Sequence, residues 1–210
     1  MKIAFIGTQC NGKSTLVDQF LKRWPMYKLP DLSYRKKLKT GKLKGNEEGT
    51  EESQKAILNA IIDDAQKAIV EGNEFLVFDR CVIDNIAYSL WLNDRGKVSD
   101  EFIIDSRLIA IEAVKMFDIV FYLPLREEIK IVPRKGRATD PVYRQEIDNI
   151  FRALVGTYEK NLGIFFPKSD CPAVITLDGP PDLRIEQIPL YIKPNGKFYG
   201  EEDGSLLAGM

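Results

Sequence analysis

The segment Gly7-Thr8-Gln9-Cys10-Asn11-Gly12-Lys13-Ser14 satisfies the pattern G-x-x-x-x-G-K-[ST] at every fixed position. It narrows the fold more than any other feature, because such a loop works only between a strand and a helix. Lys2 to Ile6 supplies a short apolar strand. Lys13 to Arg23 supplies the helix, with Leu16, Val17, Phe20 and Leu21 on one side and Trp24-Pro25 as the stop. The glycines let the backbone curl until its N–H groups face an anion, and the helix N-terminus adds positive potential. Lys13 reaches the outer phosphates and the Ser14 hydroxyl is suited to Mg²⁺. The expected ligand is therefore a nucleoside triphosphate, taken as ATP, bound by Gly7, Asn11, Gly12, Lys13, Ser14 and Thr15.

The remainder of the chain alternates strands and helices. Tyr27 to Leu29 reads as a second short strand before Pro30-Asp31, and residues 35–50 read as a polar, basic, mobile loop. A helix runs from about Glu51 to Glu71, followed by an apolar strand from Phe75 to Phe78 ending on Asp79-Arg80. Helices to about Asn93 and from Asp100 to Met116 precede a third apolar strand, Ile119 to Leu123. Residues 125–140 are charged and carry Pro133 and Gly136, which suits a lid. A long helix then runs from Pro141 to about Leu162, and Ala173 to Leu177 is the last apolar strand. This pattern predicts an α/β fold, a parallel sheet covered on both faces in three layers. Ligands of such sheets gather at the carboxyl ends of the strands, and Gly7, Asp31, Asp79 and Asp178 all follow proposed strands. One domain is expected over residues 1–188, with residues 189–210 as a small hairpin or a mobile tail.

Composition removes several function classes. The net charge of −1 argues against a whole-protein field for nucleic acid. With no histidine, the commonest general base and metal ligand are missing. Cys10, Cys81 and Cys171 show no zinc or disulfide spacing, which fits a reducing, cytoplasmic setting, and Cys10 and Cys81 read as packing residues. No segment approaches the length of a membrane span, so no membrane partner is expected.

Two further clusters bear on chemistry. Asp79 is placed to hold Mg²⁺ through water or to accept a proton from an attacking hydroxyl, and Arg80 to orient phosphate oxygens. Arg134, Lys135 and Arg137 crowd the expected lid, where phosphoryl transfer calls for cations and exclusion of water. On the acceptor side, Asp31 is a candidate base or substrate ligand, or simply a turn residue after Pro30. Six cations lie between Arg35 and Lys44, as a solvated face or a contact for an anionic acceptor. Tyr34, Tyr88 and Trp91 are either core or stacking platforms, and Gln54 and Asn85 are candidates for reading a base edge.

In this order, GTQCNGKSTL, the Gln54 helix, VFDRCVIDNIAYSLW, GRATDPVYRQEIDNIF and VITLDGPPDLRIEQI resemble the small P-loop nucleoside and nucleotide kinases. They are most similar to the AAA-ATPase-like kinases that include the nicotinamide-ribose kinase domain and many bacteriophage proteins. The resemblance spans residues 1–188 and implies a five-stranded parallel sheet and transfer of phosphate from ATP to a hydroxyl. It implies that Asp79 is the strand-end acid, that Arg134 and Arg137 are lid arginines, and that Asp178-Gly179 lies against adenine. The expected acceptor is a nucleoside or nucleotide. Alternatives are a hydroxymethylated pyrimidine such as 5-hydroxymethyluracil in phage DNA, which would place the protein in a host cytoplasm, and an NTP-hydrolysing switch with no acceptor. A homodimer is compatible with all three.

Overall fold

The computed structural model describes residues 1–31, 33–40, 43–126, 140–163, 165–167 and 171–199, with backbone alone at 34, 37 and 39. Four short strands build one parallel sheet: β1 (Lys2–Ile6), β2 (Leu76–Asp79), β3 (Ile119–Tyr122) and β4 (Ala173–Thr176), in the order β2-β1-β3-β4. Parallel neighbours require crossovers, and the helices supply them. These are α1 (Lys13–Arg23), α2 (Ser33–Lys39), α3 (Glu51–Val70), α4 (Val82–Asn93), α5 (Asp100–Val114), α6 (Pro141–Glu159) and α7 (Pro181–Gln187).

The sheet has four strands among the described residues where five were expected. The segment read as a strand at Tyr27 to Leu29 is reduced to one parallel bridge, Lys28 to Leu76. Its backbone bonds are Lys28 N to Phe75 O at 3.1 Å and Val77 N to Lys28 O at 2.9 Å. Pro30 has no N–H to extend the ladder and restricts Leu29 before it. Residues 35–50 are also not one loop: they hold most of α2 and a 3₁₀ turn at Asn46–Glu48.

Alternation along the strands divides the core. Ala4, Ile6, Leu76, Phe78, Val120 and Tyr122 face α3, α4, α5 and α6. Ile3, Phe5, Val77, Ile119 and Phe121 face α1 and the C-terminal segment. On the second face Phe5 stacks on Phe121 at 5.3 Å, and Phe20 packs against Trp24 at 4.8 Å and Tyr27 at 4.9 Å. Residues 189–199 are anchored here. Ile192 bridges Phe198, Trp24 Nε1 donates to Lys193 O at 2.9 Å, and Tyr27 Oη donates to Gly196 O at 2.6 Å.

Local chemistry sets the helix starts. Thr50 and Ser53 form a reciprocal capping box on α3. The Asp140 carboxylate accepts from Tyr143 N at 2.7 Å, with Pro141 in the first turn of α6. No helix among the described residues is long and apolar enough to cross a membrane.

Candidate active site

β1 ends where the loop begins, at the carboxyl edge of the sheet. Gly7 has φ +137°, and a Cβ there would sit 2.6 Å from Leu123 O, so β3 leaves no room for a side chain. Gly12 opens α1 at φ +81°, a left-handed value that glycine adopts at little cost. Between them Cys10 takes φ 55°, so its side chain is tolerated in a left-handed turn.

The loop keeps its shape because its carbonyls are held from outside. Arg144, on α6, donates to Gln9 O at 3.2 Å and Cys10 O at 3.1 Å. Arg184, on α7, donates to Asn11 O at 3.0 Å, Pro124 O at 2.7 Å and Gly179 O at 3.0 Å. Both are nearly inaccessible, Arg144 at 4% and Arg184 at 1% exposure. Asn11 Nδ2 adds a bond to Leu123 O at 2.6 Å. With carbonyls drawn toward these donors, the loop amides are left to the other side, the arrangement that makes an anion nest. Arg184 was not foreseen; its only sequence signal is a cation on the apolar side of PPDLRIEQI.

Lys13 is buried and its ammonium donates to Gly7 O, and to Thr8 O at 2.6 Å. Burial, and then the neighbouring Arg80 cation, pull its pKa down to about 7 against the pull of Asp84 and Asp79. A cation so held gains strongly from a polyanion placed beside it.

Ser14 and Asp79 come together: Ser14 Oγ donates to Asp79 Oδ2 at 2.6 Å. Asp79 ends β2, paired in register with Phe5. Arg35 Nη2 bonds both Asp79 Oδ2 and the Asp79 carbonyl at 2.8 Å. Burial works to raise the Asp79 pKa, but Arg35, Lys13 and the Ser14 hydroxyl outweigh it and hold it below the usual value. Asp79 is therefore ionised at neutral pH. A hydroxyl and a carboxylate are hard oxygen donors, and Mg²⁺ takes few protein ligands beside phosphates and water, so this pair fits that ion.

Arg80 follows with φ 97°, a strained value outside glycine. Its guanidinium lies 5.2 Å from the Tyr88 ring centroid. Asp84, also unforeseen, sits in the first turn of α4, 1% exposed. Its Oδ2 accepts from Cys81 N at 3.0 Å. Burial, opposed by Arg80 and Lys13, raises its pKa to about 6.

The remaining expected residues lie elsewhere or beyond description. Asp31 is exposed and pairs with Lys36. Asp178 is held by Arg126, whose Nε donates to Oδ1 at 2.7 Å, and this lowers its pKa. Gly179, φ 94°, supplies the carbonyl that Arg184 binds. Arg134 and Arg137 lie outside the described residues, with most of the expected lid. Among the described residues no cluster of three His, Cys, Asp or Glu side chains is arranged as a metal cage.

A family profile described as an AAA domain matches residues 2–164. No curated protein sequence matches the chain. Among solved structures, NadR in complex with NR superposes with TM-score 0.64 at 14% identity, over 94% of this chain and 52% of that one. The chain thus spans about half the length of NadR. Deoxyadenosine kinase from M. mycoides gives TM-score 0.60 at 20% identity, over 90% of this chain and 96% of that one. Thymidylate kinase from Candida albicans gives 0.59 at 19% identity, over 89% and 88%. These likenesses establish a P-loop kinase fold.

Proposed function

The chain belongs to this AAA-domain family, and from that premise we propose that it is a phosphotransferase moving the γ-phosphate of ATP to a hydroxyl of a nucleoside- or nucleotide-type acceptor. The observation that carries the reading is the contact of Ser14 with Asp79 at 2.6 Å, beside buried Lys13. A phosphate loop alone accounts for binding. A loop joined to an ionised strand-end acid, a strained arginine and a second buried acid supports the further step of transfer.

The work is positioning and electrostatics. Lys13 and the loop amides bind phosphate oxygens. Ser14 and Asp79 would hold Mg²⁺, which supplies positive charge at the β- and γ-phosphates. Arg80 is placed to stabilise charge on the transferring group, with Arg134 and Arg137 as proposed lid contributors. Asp79 remains the proposed acid for aligning the acceptor hydroxyl. Asp31 is the less favoured base, since it is exposed and already paired with Lys36. Asp178-Gly179 remains the proposed adenine contact. The basic run was read as a contact for an anionic acceptor, yet two of its cations, Arg35 and Lys36, are turned onto Asp79 and Asp31.

Replacing Asp79 by Asn preserves shape and removes the charge. The expected result is a fall in kcat of about 100-fold or more with a weaker response to Mg²⁺, read by phosphate transfer across a Mg²⁺ titration. An unchanged rate and unchanged Mg²⁺ response would remove Asp79 from the mechanism. Lys13→Ala is expected to abolish transfer in the same assay.

A further inference from the structure

Helix α4 is enclosed by α3, α5 and α6, yet one part of its surface is polar: Asp84, Asn85, Tyr88 and Ser89. Around it lie five buried side-chain atoms with no hydrogen-bond partner among the described residues. They are Asp84 Oδ1, Asn85 Oδ1 and Ser89 Oγ of α4, Gln9 Nε2 of the phosphate loop and Tyr143 Oη of α6. None of these residues exceeds 5% exposure. Folds keep such orphans few, since each costs about 1–3 kcal/mol. Five about one helix mark a place where a polar ligand completes the structure.

The surroundings give the seam two ends. At the first, Asp84 lies within electrostatic reach of Lys13, Arg80 and Asp79. Tyr88 Oη donates to Gln9 Oε1 there, which ties α4 to the phosphate loop. At the other, the Tyr143 ring stands edge-on to Trp91 at 4.6 Å, and Asn85 Nδ2 donates to Gln54 Oε1 at 2.9 Å. Gly49 covers that end so closely that a Cβ would meet Leu92 at 2.7 Å and Gln54 Nε2 at 3.0 Å. From Asp84 to Trp91 the helix rises about 10 Å.

Chemistry then selects the ligand. Asp84 Oδ1, as carboxylate, and Asn85 Oδ1 only accept, so the ligand must donate to both. Beside the phosphate loop the donor is a hydroxyl. At the aromatic end it is an N–H on a flat ring, with Ser89 and Tyr143 able to donate or accept and Gln9 Nε2 to donate. The low exposure of these five residues suits a small ligand enclosed by the fold better than a continuous nucleic-acid strand. Resting on the kinase reading above, we propose that this seam is the acceptor subsite and that the acceptor is a free nucleoside, a sugar hydroxyl held at Asp84 with the reacting hydroxyl turned toward Asp79, and its base at Asn85, Ser89 and Tyr143.

The test uses the full chain with Mg²⁺ and γ-labelled ATP against free nucleosides, nucleoside 5′-monophosphates and a duplex containing 5-hydroxymethyluracil. Label on a free nucleoside is expected; label confined to monophosphates or to the duplex overturns the inference and leaves the kinase reading standing. Label on no acceptor overturns both. Ser89→Ala and Tyr143→Phe each remove one hydroxyl. The expected result is a nucleoside KM raised about five-fold or more, with the KM for ATP unchanged. Melting temperature should hold or rise, because an unpaired buried hydroxyl is lost. An unchanged nucleoside KM would sink the subsite whatever the melting temperature, and a lowered melting temperature beside it would make these hydroxyls structural.

Discussion

Arg144 and Arg184 show how much of a phosphate loop is made by residues outside its motif. Each places a planar fork of donors against loop carbonyls, a geometry lysine does not reproduce. Removing Arg184 leaves Asn11 O, Pro124 O and Gly179 O without it in a buried site. Arg184→Leu is expected to lower unfolding stability by about 3 kcal/mol, measured as a shift of the urea midpoint, and Arg184→Lys to recover little of it. Equal midpoints for Leu and wild type would mean that the loop holds its own shape. Residues differ in legibility for the same reason. Gly7, Gly12, Lys13 and Ser14 are readable in the sequence because backbone geometry ties them to fixed spacing. Arg184, Arg35 and Asp84 are not, since their roles depend on which surfaces α7, α2 and α4 turn toward the loop.

Among the elements, apolar runs and caps were readable because they are local. β1, β3 and α1 lie where period and punctuation put them, and the Thr50 box opens α3. The segment after α1 was less so. Tyr27 to Leu29 has strand composition, but Pro30 limits it to the single Lys28 bridge, and α2 was masked by a cationic stretch that reads as loop. The tail's Gly and Pro suggested a small hairpin or a mobile end, whereas Ile192 and Phe198 pair and join Trp24 and Tyr27 in one buried cluster. Deleting residues 190–210 is expected to lower the melting temperature by several degrees and to shift Trp emission to the red as Trp24 meets water. A deletion variant with wild-type melting and emission would show that the tail contributes nothing to that face.

At the scale of the whole molecule, the parallel sheet brings distant pieces of sequence to one edge. The ends of β1 and β2 carry the phosphate loop and Asp79, α4 carries Asp84 and the polar seam beside them, and the end of β3 closes on Gly7. The account places a phosphate donor and a hydroxyl acceptor on either side of Lys13 and Asp79. The most direct measurement is the fate of the γ-phosphate. The protein with Mg²⁺ and γ-labelled ATP is given nucleosides, nucleotides and DNA in turn, and labelled ester is separated from inorganic phosphate. The account predicts label in a phosphate ester that depends on the acceptor present. Label recovered only as inorganic phosphate with every acceptor would contradict it and leave an NTP-hydrolysing protein.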